Sequence, residues 1–334
     1  MSAPLLEIDG LRITLPTRRG RAAVVDGVDL VLDEGEILGV AGERGCGKTM
    51  TALSLVQLLP RRAQTEGRAI FRGTDLLALG RRGIRKVRGA EIAVVFQDPM
   101  SSLHPMLSIG RQMTEHMSCH LGLKGATARA RAIELLSRVR LPDPEAALGA
   151  YPHQFSGGMR QRIAIAMALA CEPKLLIADE PTTALDVTVQ AGILQLLDSL
   201  RTETGLSVLL ISHDLAVISS VADRLYVFYA GRVVEAGEAA ALLARPRHPY
   251  TDALLRALPH AERKNQQLLP IPGSPPRADE LPEGCVFHPR CSYAKPQCLM
   301  ARPALVELAP GRVAACPVDP LGSVAVQTAQ EAVR

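Results

Sequence analysis

Residues 42–49 read GERGCGKT, a glycine-spaced run that ends in a lysine and a hydroxyl residue. Such glycines let successive backbone N–H groups turn toward one point, which suits a chain of phosphates. Lys48 then supplies a cation for the terminal phosphates, and the Thr49 hydroxyl a ligand for Mg²⁺. The run fits G-x-x-x-x-G-K-[ST] and stands between the apolar EILGVAG (36–42) and the helical pattern KTMTALSLVQLL, where that chemistry needs it. Gly42, Glu43, Arg44, Gly45, Cys46, Gly47, Lys48, Thr49 and Met50 are the candidate nucleotide-binding residues.

A second group of residues supplies the rest of a hydrolytic site. The apolar run LLIAD ends in Asp179 and Glu180. Asp179 is placed to hold Mg²⁺, and Glu180 to polarise an attacking water. Gln97 ends the apolar EIAVVFQ and could reach the metal; His213 ends SVLLISH and could contact the terminal phosphate. All four stand where buried strands give out, the edge at which parallel sheets bind ligands. A further glycine pair lies in FSGGMRQ (155–161), directly before the helical IAIAMALA, and its N–H groups suit another anion.

The elements that must carry these residues alternate strand and helix. LLEIDGLRITL and AAVVDGVDLVL predict an antiparallel hairpin, followed by the strands EILGVAG, EGRAIFRG and EIAVVFQ. A basic helix is expected over DLLALGRRGIRKVRG, with Arg81, Arg82, Arg85, Lys86 and Arg88 on a solvated face. Residues 98–170 read as mostly helical. Alternation resumes with LLIAD, the helix VTVQAGILQLLDSLRTE, SVLLISH and RLYVFYAGRVVEAG. Beyond about residue 246 the chain turns rich in proline, so the expected domains are 1–250 and 251–334, with the final GSVAVQTAQEAVR disordered. The fold class is α/β.

Composition sets further bounds. The 334 residues are 47% hydrophobic and 22% charged, carry a net charge of +4, and include no Trp. That charge is too mild for a nucleic-acid groove. The N-terminus lacks a secretory pattern, and no run approaches the roughly 18 apolar residues of a span, so a cytosolic or peripheral location is expected. In such a compartment seven cysteines argue against disulfides. Four of them, Cys285, Cys291, Cys298 and Cys316, crowd the C-terminal region and could hold Zn²⁺, a [4Fe–4S] cluster or nothing. Cys46, near a helix start, is a thiol whose pKa could be lowered, but small-residue filling of the loop is the expected role.

The order GERGCGKT, Gln97, FSGGMRQ, LLIADEP, Ala184-Leu185-Asp186 and His213 resembles the ABC-type ATPases. The resemblance implies a RecA-like parallel core, an antiparallel β subdomain and a helical signature subdomain over about 98–170. It also implies that two cassettes associate head to tail. Phe155, Ser156, Gly157, Gly158, Met159, Arg160 and Gln161 of one would then close on the ATP held by the other, with residues 184–186 at the joint. Mg²⁺ would lie on Thr49, Gln97 and Asp179, and hydrolysis would use Glu180, His213 and Gln97. Family members carry an adenine-stacking aromatic near Leu15, which here is aliphatic.

FQDPMSSLHP, the stretch from YPHQFSGGMRQ to ALDVTVQ, and RPRHPYTDALL…IPGSPP…LPEGCVFHPRC resemble the ATP-binding subunits of bacterial oligopeptide/dipeptide permeases. That implies a paralogous ATPase partner in a heterodimer, two transmembrane permease subunits, an extracytoplasmic solute-binding protein and a place on the cytoplasmic face of the inner membrane. It further implies a small Pro/Cys-rich C-terminal domain with [4Fe–4S] on Cys285, Cys291, Cys298 and Cys316, and a groove for a permease helix near Met100, Leu103, Met106 and Leu107. The competing expectation is a soluble ABC ATPase acting on ribosomes or DNA.

Overall fold

The computed structural model describes residues 3–98, 102–183, 185–258 and 270–320. Met100, Ala184 and the tail expected to be disordered lie outside them. The strands are β1 (Leu6–Thr17), β2 (Gly20–Leu32), β3 (Ile37–Ala41), β4 (Gln64–Phe71), β5 (Thr74–Asp75), β6 (Ile92–Val95), β7 (Leu175–Asp179), β8 (Ser207–Ser212), β9 (Arg224–Tyr229), β10 (Arg232–Glu238), β11 (Val306–Ala309) and β12 (Arg312–Ala314). The chain divides into two compact units: one of 1–5, 32–37 and 78–211, the other of 6–31, 38–77 and 212–334.

In the first unit β6, β7 and β8 run parallel, with Val95 beside Ala178 and Asp179 beside Ile211. All five residues of β7 and all six of β8 are buried. Such continuous apolar runs mark strands covered on both faces, which is why they show no alternation. The helices Ile109–Leu121, Gly125–Arg138, Gly157–Ala168 and Val187–Thr204 belong to this unit, as the helical pattern of 98–170 and 187–203 predicts. Ser108, Ser156 and Asp186 each cap a helix through a side-chain oxygen.

The second unit holds an antiparallel sheet in the order β2-β1-β4-β5, so the expected hairpin forms. Beside it β3 pairs in parallel with β9, β9 folds back on β10, and β10 continues into β12 and β11. The C-terminal region therefore returns to the edge of β10. The basic helix, which lies in the first unit, is shorter than expected, covering only Arg81–Val87. Asp75 accounts for the difference. Its carboxylate accepts from the N–H groups of Ala69 and Leu77, which holds the preceding residues in a β turn rather than a helix. Arg81, Arg82, Arg85 and Lys86 are exposed, as anticipated, whereas Arg88 caps the helix end and is half-buried.

Two buried polar groups fasten the C-terminal region within this unit. Glu235 on β10 is fully buried, and its carboxylate accepts from the N–H groups of Arg247 and His248 and from Arg312 Nη2. The ring of His248 accepts from the Tyr250 N–H at Nδ1, a bond that requires that nitrogen to be unprotonated. Burial pushes His248 down to about 4. Its unfolded value is higher, so the unfolded chain takes up the proton first. The stabilisation it gives is complete above about pH 6.5 and is lost as pH falls toward 4, a change of about 3 kcal/mol. Urea unfolding of wild type and His248→Asn at pH 7 and pH 4.5 should show the wild-type advantage shrinking at the lower pH; an unchanged difference would refute it.

Candidate functional site

The phosphate loop leaves β3 and enters the helix Lys48–Leu55. Two of its glycines are obligatory. Gly42 has φ +146°, and a Cβ there would lie 2.2 Å from the Phe228 carbonyl oxygen; Gly47 has φ +107°, with the Val24 carbonyl oxygen 2.7 Å from a Cβ. The backbone thus passes too close to β9 and β2 for any side chain. Lys48 is 5% exposed, and its Nζ donates to the carbonyls of Gly42 at 2.6 Å and Glu43 at 3.0 Å. This folds the ammonium back over its own loop. Thr49, Arg44 and Gly45 are exposed, while Met50 and Leu15 are half-buried. Cys46 is buried, as small-residue filling requires: burial pushes its thiol up, and the neighbouring Lys48 ammonium offsets only part of that.

Sequence reasoning missed the groups that hold this loop. The Glu43 N–H donates to the Tyr250 hydroxyl at 2.8 Å. The Glu43 carboxylate takes both arms of the Arg290 guanidinium, at 2.7 and 2.9 Å. Arg290 also donates to the Pro272 carbonyl at 2.8 Å and to the Tyr229 hydroxyl at 3.3 Å. Tyr229, Tyr250 and Phe287 pack together with ring centroids 4.6 to 5.3 Å apart. The only signal was residue type: HPYT and HPRC hold aromatic, basic and proline residues in a segment otherwise read as loop.

Asp179 ends β7 and Glu180 follows it, 6% and 8% exposed. Glu180 has φ +48°, unusual for a side chain of this size, and its N–H donates to the Ile211 carbonyl. One carboxylate oxygen accepts from Gln97 Nε2 and from the Thr183 hydroxyl, both at 2.9 Å. Gln97, expected at the metal, is thereby brought onto the candidate water-polarising carboxylate. Thr183 was not anticipated. His213 lies exposed just beyond β8. The oxygen donors Asp179, Thr49 and Gln97 are of the hard type that Mg²⁺ takes.

The FSGGMRQ segment forms a helix start on the surface. Ser156 caps Gly157–Ala168 by accepting from the Met159 N–H at 3.3 Å, and Ser156 and Gly157 are exposed. Gly158 is tightly placed, since a Cβ would meet Val189 Cγ1 at 2.5 Å. The loop therefore packs against the start of the neighbouring helix, capped by Asp186, while Leu185 lies 3.5 Å from a Cβ on Gly157. Val187 at that joint is 82% exposed. Arg160 donates to the Pro152 carbonyl, Phe155 is half-buried, and Gln161 is buried within the helix. Two helix N-termini thus share one solvent-facing corner, a surface of positive potential. Of the expected groove residues, Leu103 is buried and Met106 is 77% exposed. The carboxamide of Gln112 bonds His104 and Leu107 and fixes that turn.

Cys285, Cys291, Cys298 and Cys316 line one small pocket. The soft donor set is the kind that holds iron–sulfur clusters or zinc. As arranged, however, no three His, Cys, Asp or Glu side chains among the described residues converge closely enough to bind a metal. Burial pushes the Cys291 thiol up to about 11 and raises those of Cys285 and Cys316, so binding a cation there must expel protons.

Residues 25–183 match the ABC transporter family, and 234–298 match the C-terminal region of oligopeptide/dipeptide transporters. A Brucella abortus ATP-binding protein is 49% identical over 317 residues, 95% of each chain. The dipeptide transport ATP-binding protein DppD of Escherichia coli is 45% identical, covering 95% of this chain and 98% of that one. Among solved structures, a dimeric form of the cassette MJ0796 superposes with a TM-score of 0.62 at 28% identity, covering 70% of this chain and 98% of that chain. No helix among the described residues is long and apolar enough to cross a membrane.

Proposed function

Because this chain belongs to the ATP-binding proteins of the ABC transporter family, we propose that it hydrolyses ATP to drive the import of peptides or similar small solutes. The observation that carries the reading is the agreement over nearly the whole length with peptide-transport relatives, C-terminal region included. The cofactor is Mg²⁺, whose ligands would be Thr49, Asp179 and Gln97. It supplies charge compensation on the phosphates. Lys48 adds its ammonium, Glu180 accepts a proton from the attacking water, and His213 orients the terminal phosphate.

Half of each site comes from a second cassette. The exposed corner formed by Ser156, Gly157 and Val187 supports this, because it presents a helix start and an apolar side chain to solvent. The dimeric relative MJ0796 is consistent with it. The second cassette is a paralogue; two permease subunits span the membrane, with a solute-binding protein beyond it, and the chain sits peripherally on the cytoplasmic face. Residues 1–250 form the ATPase domain and 251–334 the appended one. In the latter, Cys285, Cys291, Cys298 and Cys316 would be the thiolate ligands of a [4Fe–4S] cluster, which would serve a structural or regulatory role outside the ATP site.

Purification of the tagged full-length chain from membranes under anaerobic conditions tests both parts. The expected preparation contains a second cassette and permease subunits, absorbs broadly in the visible range, and yields iron and sulfide. Recovery with ribosomes or DNA would overturn the transport reading. A colourless, iron-free preparation would overturn the cluster, and zinc in its place would reassign it.

A further inference from the structure

Residue 43 is held by all three of its polar groups. Its carbonyl accepts from Lys48, its N–H donates to Tyr250, and its carboxylate is gripped by Arg290. Two of these three holds come from far along the chain, in the Pro/Cys-rich region. The ionic one is well shielded, with the Arg290 side chain 5% exposed and Glu43 22%.

A carboxylate inside a phosphate loop is an electrostatic liability. Left alone, Glu43 would repel the triphosphate and compete with it for the Lys48 ammonium, which already rests on the Glu43 carbonyl. A bidentate guanidinium cancels that charge and also fixes the plane of the carboxylate. Arg290 itself is not free to drift: its Nε is committed to the Pro272 carbonyl, and its N–H closes a turn on Phe287. That turn, His288–Arg290, is framed by Cys285 and Cys291, whose backbones it bonds.

We propose that Arg290 is a positioning residue for ATP: through it the C-terminal region neutralises Glu43 and sets the affinity of the phosphate loop. This rests on the ATPase reading above but not on any metal at the cysteines. Affinity and stability should then separate. Arg290→Ala leaves Glu43 uncompensated and should weaken ATP binding about ten- to hundred-fold, with KM rising more than kcat falls. Adding Glu43→Gln to Arg290→Ala should recover most of that loss, because the repelling charge is gone. Glu43→Gln alone should lower the melting temperature, since it strands a buried guanidinium. Arg290→Lys, which keeps the charge without the fork, should fall between.

The test is calorimetric titration of the full-length variants with Mg·ATP, alongside melting curves. Wild-type affinity in Arg290→Ala would overturn the proposal. So would a loss that Glu43→Gln leaves untouched while the melting temperature drops in parallel, since that pattern describes scaffolding alone. Wild type measured in the same series distinguishes these results from failure of the ATPase reading, in which wild type too would bind no ATP and both would fall.

Discussion

Glu180→Gln is expected to bind ATP as wild type does while losing hydrolysis by about 10²–10⁴ in kcat, the usual range for removal of a general base. The structure explains why binding should survive. The Glu180 backbone is tied to Ile211, and one side-chain oxygen accepts from Gln97 and Thr183. An amide offers an oxygen of the same shape to those two donors. It cannot take a proton from water. Single-turnover hydrolysis measured beside nucleotide binding checks the result: full turnover would remove Glu180 from the mechanism, and lost binding would make it a structural residue instead.

Lys48→Ala should abolish function at an earlier step. The buried ammonium donates to two carbonyls in the resting loop, and those same donors are what the triphosphate would recruit. Charge-assisted hydrogen bonds contribute about 1.5–3 kcal/mol each, so loss of two weakens ATP binding by about 10²–10⁴. Deletion also orphans the buried carbonyls of Gly42 and Glu43, which adds a fall in melting temperature. Equilibrium binding of a non-hydrolysable ATP analogue would decide the matter; an affinity within a factor of about three of wild type would exclude Lys48 as the phosphate-binding cation.

What could be read in the chain was whatever repeats locally. LLIA and SVLLIS announce buried parallel strands because every residue is apolar or small, and GERGCGKT announces its turn because only glycine tolerates the approach of the Phe228 carbonyl. Asp75 was missed because a single carboxylate, by capturing two N–H groups, overrides a helical pattern that surrounds it. Nearness of Cys46 to a helix start is visible in sequence, whereas the burial that raises its thiol is not. The Arg290–Glu43 pair joins residues 247 positions apart, and no periodicity spans such a distance. Likewise, that Gln97 would meet Glu180 followed only once β6 and β7 were seen side by side.

The chain contains no Trp and only five Tyr. Two of those, Tyr229 and Tyr250, lie 4.6 Å apart behind the nucleotide loop, one with its hydroxyl on the loop's own amide. Phenol emission, which indole masks in most proteins, is therefore readable in this one without a label. Part of that native ultraviolet signal originates at the joint between the loop and the appended region, giving the chain an optical gauge of its own latch.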